Sequence, residues 1–220
     1  VEKVEVSILM PIFNGIEFID ESVGSILAQT YDHWELILAI NGHPANSDVY
    51  QLAKAYEKNN EDKIRVYDFP NMKGKANTLN AMVRLCTYDY IALLDVDDIW
   101  HPDKLQIQSQ WLPQYDVVGS KCVWFGDRPG TIPPIPVGNI SDFDFTLVNP
   151  IINSSVIIKK PLCYWNENGI EDYDLWLRLR KQRIQFFNCK EIFVQHRIHA
   201  ASAFNSKGHH NKVADLLKIY

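Results

Sequence analysis

The chain has 220 residues, 46% hydrophobic and 22% charged, enough apolar mass to bury a sizeable core. Its 22 basic and 27 acidic side chains give a formal charge of −5, which argues against a general nucleic-acid binder. No apolar run approaches the ~20 residues of a membrane span, no signal peptide opens the chain, and the four scattered cysteines form no C-x-x-C pair, so free thiols in a cytoplasmic, reducing setting are expected.

In chain order, "VEVSILMPIF" is β-branched and apolar and stops at Pro11 and Asn14-Gly15, a strand and a turn. The next segment predicts a helix of about 13 residues with Ile19, Val23, Ile26 and Leu27 inward. "WELILAI" is a second strand, closed by Asn41-Gly42. Ser47 or Asp48 caps the following helix, whose inner face is Val49, Leu52, Ala53 and Tyr56. "KIRVYDF" is a third strand, "KANTLNAMVRLC" a third helix and "DYIALLD" a fourth strand. Nearly continuous apolar strands alternating with amphipathic helices predict an α/β fold, a mostly parallel sheet with helices on both faces. Ligands bind such sheets beyond the carboxyl ends of the strands. Pro11 to Gly15, Asn41 to His43 and Asp95 to Asp98 all fall there.

Beyond residue 100 the pattern changes. "HPDKLQIQSQWL" predicts a helix with Pro102 in its first turn, and "DVVGSKCVWFG" a strand. Residues 127–145 carry four prolines and no periodicity, a long irregular loop. "SSVIIKK" is a short strand, "EDYDLWLRLRKQR" a helix, "EIFVQHRIH" a last strand and "VADLLKIY" a short helix in the tail.

Asp95, Asp97 and Asp98 crowd the end of the fourth strand. One of them could cap the helix near Pro102, but a cap needs a single acid. Alternation in an extended chain puts Asp95 and Asp97 on one side, and such a carboxylate pair suits Mn²⁺ or Mg²⁺. About twenty residues upstream, Gly74 allows close backbone approach, and Lys75 is either a point charge for phosphate or a solvated surface lysine. A metal and a lysine at one sheet edge suit a nucleoside diphosphate. Of the tryptophans, Trp34 and Trp176 read as core, while Trp100, beside the acids, is the candidate to stack on a ligand.

These stretches, "VSILMPIFNG", "QTYDHWELILAINGH", "GKANTLNAM", "YIALLDVDDIWHPDKL", "EDYDLWLRL" and "HRIHAAS", together resemble a family-2 glycosyltransferase of GT-A fold over about residues 5 to 203. The resemblance implies a metal-dependent, inverting transfer of a sugar from a nucleoside-diphosphate sugar to a hydroxyl of a glycan, glycolipid or protein acceptor, in polysaccharide or glycoconjugate synthesis. It implies a D-x-D motif in which Asp95 touches the ribose side and Asp97 holds Mn²⁺ or Mg²⁺, with His199 as a further metal ligand and His196 as its fallback. Asp172 becomes the general base, with Glu171 orienting a substrate, although acids also suit a helix start for dipole reasons. Donor contacts fall on Pro11, Phe13, Asn14, Asn41, Gly74, Lys75, Asp95 and Val96. Many relatives end the second strand in two acids where this chain has Ile40 and Asn41. Asn41 can still bond a base edge through its amide, so a UDP-sugar is favoured and the base left open. One catalytic domain is expected over 1–220: residues 1–100 for the donor, 101–203 for the acceptor, 204–220 as a tail. Two alternatives stand beside this reading: a nucleotidyltransferase acting on sugar phosphates, and a non-catalytic nucleotide-sugar-binding module.

Overall fold

The computed structural model describes residues 3–167, 170–199 and 209–220. Its elements in order are β1 (Val6–Ile12), α1 (Ile19–Leu27), β2 (Trp34–Asn41), α2 (Asp48–Asn59), β3 (Ile64–Phe69), α3 (Lys75–Val83), β4 (Tyr90–Leu93), β5 (Ile99–Trp100), α4 (Lys104–Gln108), β6 (Val117–Gly126), β7 (Gly138–Asn139), β8 (Ile157–Lys159), α5 (Glu171–Lys181), β9 (Phe186–Ile198) and α6 (His209–Leu217). One sheet runs in the order β3-β2-β1-β4-β8-β6-β9-β5, with β7 also on β9.

The first four strands are parallel, as the alternation of strands and helices requires. β8 enters antiparallel between β4 and β6, and β9 runs parallel to β6 over ten residue pairs. Most paired residues therefore sit in parallel ladders, in a mixed α/β architecture. Side chains alternate between two core layers: Ile8, Met10, Leu36, Leu38 and Ala92 face α1 and α2, while Leu9, Ile37, Ala39, Ile91 and Leu93 face α3 and α5.

Two inner-face expectations and one capping expectation need correction. Leu27 is 44% exposed, because it is the last residue of α1 and is turned one step away from the stripe of Ile19, Val23 and Ile26. Leu52 is 56% exposed, because Tyr50 rather than Leu52 flanks Ala53 against the sheet. The helix expected near Pro102 begins at Lys104, and β5 separates it from Asp97 and Asp98, so neither acid caps it. Ser47 does cap α2, its hydroxyl accepting from the Tyr50 amide at 3.3 Å.

Opposite the ligand-binding edge, a polar knot ties β1, β2 and β3 together. Glu35 accepts from the Ser7 hydroxyl and the Thr87 amide, both at 2.6 Å, and pairs with Arg65. Burial pushes the Glu35 carboxyl up, but these donors outweigh it, so the group lies below its ordinary value near 4.5. A depressed carboxylate stabilises the fold above the unfolded value, and that stability is lost as pH falls through the folded one. Glu35→Gln should therefore lower the unfolding free energy by about 2 kcal/mol at pH 7, measured by urea denaturation. The gap to wild type should close as the pH drops below 4.5.

Candidate functional site

The edge beyond β1, β2 and β4 is built by turns that need special backbone. Gly15 (φ +87°) ends the turn after β1, and a Cβ there would stand 3.0 Å from Val96. Gly42 (φ +73°) lies under the Phe13 ring, where a Cβ would approach it to 3.1 Å. Phe13 is 54% exposed and its ring meets His43 at 5.5 Å. Pro11 is half-buried, Asn14 exposed and Val96 buried. Asn41 is only 3% exposed, so its amide presents little surface to a base.

The three acids after β4 have different surroundings. Asp95 pairs with Lys75 through one oxygen and accepts from the Asn153 amide at 3.1 Å through the other. Burial raises its carboxyl, but the Lys75 charge and the Asn153 bond more than reverse this, and the group lies below the usual range. Asp98 is fully buried and satisfied: His196 Nδ1 lies 3.0 Å from one oxygen, and the Arg197 amide donates to the other at 2.9 Å. Burial lowers the His196 imidazole, but Asp98 with its hydrogen bond, then Asp95 and Asp97, lift it to about 9. Asp97 has His199 Nε2 3.0 Å from its Oδ2. Burial, then Asp98 and Asp95, hold its carboxyl above the usual range.

Lys75 starts α3 directly behind Gly74 (φ +83°), where a Cβ would stand 2.9 Å from Glu167. Burial lowers its amine, but Asp95, then Glu171 and Asp172, raise it above the ordinary lysine value. The charges of Glu171 and Asp172 thus act on the same amine that pairs with Asp95. Glu171 and Asp172 open α5, and Asp172 accepts from the Asn149 amide at 3.3 Å. Asp174 is instead buried, bonded to Asn166, Arg178 and Tyr220, and holds α5 to the tail helix.

Arg197 is packed between Phe18 and Phe125, 4.3 Å from each ring, with Glu21 at 3.0 Å and the Asp97 carbonyl at 2.9 Å. It braces the acid loop. Trp100 is no ligand platform: it is 2% exposed and its indole donates to the Ser154 carbonyl at 2.7 Å. β5 pairs with β9 and turns that ring inward, so adjacency to the acids in sequence misleads. Under it lies Lys104, fully buried, its amine 4.0 Å from the Trp100 ring and pushed down to about 7 by burial. Sequence reasoning also missed Asn149, Asn153 and Ser154, the latter accepting from the Asp95 amide at 3.1 Å. The N-S-S turn gives no local sign of partners so far along the chain.

Among the described residues, no three His, Cys, Asp or Glu side chains stand together as a metal-holding group. Asp97 with His199 offers two donors, which fits a hard cation that takes its remaining ligands from phosphate oxygens and water. The "AAS" portion of the expected histidine segment, residues 200–202 after His199, lies outside the described residues.

The sequence pattern described as "Glycosyl transferase family 2" matches residues 7–163. The chain is similar to the O-antigen biosynthesis glycosyltransferase WbnJ of Escherichia coli, 30% identical over 91% of this chain and 82% of that protein. It is 27% identical, over 96% of its own length, to an uncharacterized glycosyltransferase of Rickettsia conorii, of which it spans 37%. TarS of S. aureus, solved in complex with UDP, has the same fold with a TM-score of 0.75 at 13% identity, over 98% of this chain and 65% of that one. The mannosyltransferase PcManGT of Pyrobaculum calidifontis, solved with GDP-Man and Mn²⁺, superposes with a TM-score of 0.71 at 15% identity, over 92% of this chain and 59% of that one.

The acids differ in what their removal should do. Asp98→Ala removes a fully buried anion from its half-buried His196 partner and should cost about 3 kcal/mol of stability in chemical denaturation. Asp97→Asn removes like-charge repulsion and should leave stability unchanged or raise it. The reverse ranking would move the structural role to Asp97.

Proposed function

Because the chain belongs to glycosyltransferase family 2 and has its GT-A fold, we propose that it moves a sugar from a nucleoside-diphosphate sugar to an acceptor hydroxyl, inverting the anomeric centre, in polysaccharide or glycoconjugate synthesis. One observation carries this: Lys75 pairs with Asp95, and the segment from Asn149 to Asn153 hydrogen-bonds both Asp172 and Asp95, so donor-side and acceptor-side acids are held by one short stretch of chain. The crystallised neighbours, bound to UDP or GDP-Man, support a nucleotide-sugar donor.

In this reading Asp95, held by Lys75 and Asn153, receives the ribose hydroxyls. Asp172 accepts the proton of the acceptor hydroxyl as its oxygen attacks the anomeric carbon, and the nucleoside diphosphate leaves from the opposite side. Glu171 orients the sugar or acceptor beside it. Lys75 places positive charge where the leaving phosphates develop negative charge. Asp97 and His199 would hold Mn²⁺ or Mg²⁺, which when bound supplies Lewis-acid stabilisation of the departing diphosphate. Pro11, Phe13, Asn14, Asn41, Gly74 and Val96 line the donor side. With Ile40 and the buried Asn41 at the end of β2, base recognition falls to main-chain groups and the Phe13 turn.

UDP and GDP, each with Mn²⁺, should be compared by thermal shift, because a ligand at 100 times its Kd adds about 2.7 kcal/mol to stability. One of them should raise the Tm, and chelator or Asp97→Ala should abolish the rise. Asp172→Asn should keep that rise yet lose about 10²- to 10⁴-fold in kcat for release of nucleoside diphosphate. Equal nucleotide binding in the presence of chelator would refute the metal role, and full turnover in Asp172→Asn would refute the base.

A further inference from the structure

The segment Asn149-Pro150-Ile151-Ile152-Asn153-Ser154-Ser155 touches both reactive carboxylates. The Asn149 amide donates to Asp172 at 3.3 Å, and the Asn153 amide to Asp95 at 3.1 Å. Only three residues thus separate the groups that contact the donor-side acid and the proposed base. We infer that Asn149 and Asn153 are positioning residues, which through one rigid segment set Asp172 and Asp95 in register with each other. The inference rests on the transfer reaction proposed above and assigns these two side chains a part in it.

The segment has the rigidity such a role needs. Ile151, Ser154 and Ser155 are buried. The Ser155 hydroxyl accepts from the Ser120 amide at 3.0 Å and donates to the Ile152 carbonyl at 2.8 Å. Gln108 donates to the Ser155 carbonyl at 2.9 Å, and Trp100 to the Ser154 carbonyl. The segment is therefore fixed to β6, α4 and β5 at once. Asn149 has its own amide oriented, its Oδ1 accepting from the Ile151 amide at 3.4 Å. A neutral amide donor pins one oxygen of each carboxylate and so fixes the carboxylate plane, while the remaining lone pairs stay available to substrate. The length of the Asn149 bond is common in ligand-free sites, where such contacts tighten in the complex. Misplacement of a reacting group by about 1 Å can cost about 10²-fold in rate, so the second contact is worth maintaining.

The segment also follows directly on the irregular loop 127–145. A side chain at its start would carry the position of that loop into the orientation of the base.

The test uses Asn149→Leu and Asn153→Leu, which keep the branched side-chain skeleton and remove the amide. Release of nucleoside diphosphate from UDP-glucose, UDP-GlcNAc and GDP-mannose gives kcat and donor KM, and calorimetry gives the Kd for UDP and GDP. Asn149→Leu should lower kcat about tenfold or more with donor KM within about twofold, because it acts through the base. Asn153→Leu should raise donor KM and nucleotide Kd by about fivefold or more, with a smaller change in kcat. In an Asp172→Asn background, Asn149→Leu should change the residual rate by no more than about twofold, since the group it serves is gone. Wild-type kinetics in either variant overturns the inference. So does a joint fall of kcat and affinity in both variants together with a lowered Tm, the pattern of a purely structural segment. A wild-type chain that neither binds a nucleotide nor cleaves a donor overturns the proposed activity itself, and that result is seen before any variant is made.

Discussion

Three carboxylates within four residues, at the end of a strand buried on both faces, are the constraint around which this edge is built. Desolvation and mutual repulsion make that arrangement costly unless each anion finds a partner. Asp98 is met by His196 and a backbone amide, Asp95 by Lys75 and Asn153, and Asp97 by His199. The compensation is uneven, and the unevenness separates the roles. Asp98 is structural, Asp95 is charged and fixed, and Asp97 is the anion left under repulsion.

The sheet explains how such distant partners meet. The chain leaves β4 in the middle of the sheet and reappears as β5 on the far side of β9. The acid loop spans that crossing, so its neighbours come from α3, from the turn before β8 and from the last strand. Lys75 pairs with Asp95, while Asn153 and Asn149 tie that acid and Asp172 at the start of α5 to one segment. Asn153 and Ser154, from the turn before β8, hydrogen-bond the side chain and the backbone amide of Asp95 in that loop.

Much of the N-terminal half was legible in the sequence because its signals are local. Runs such as Ile8 to Met10 and Leu36 to Ile40 are buried from both faces, so composition alone identifies the strands, and Asn-Gly pairs punctuate them. The inward face of a helix was less secure: Leu52 fits the period, yet Tyr50 fills the space against the sheet. Trp100 was misread because its orientation depends on pairing with β9, nearly a hundred residues later. Asn149 and Asn153 were silent for the same reason, since their partners are carboxylates rather than neighbours in sequence. The acids themselves were legible as a group, but their separation into structural and reactive members was not. That division depends on which side each carboxylate finds in the folded chain.

The distance along the chain between Asp98 and its partners bears on how the molecule is made. The hydrogen bonds to His196 and the Arg197 amide close loops of 98 and 99 residues. The first strands and helices pair locally and can form early, whereas this closure waits for the final strand. During synthesis the acid loop is therefore exposed to water and harmless until β9 emerges, and only then does docking of the last strand draw Asp98 into the interior. Competence arrives with completion: a chain stopped short of residue 196 can build most of the parallel sheet but cannot assemble the centre it was built to carry.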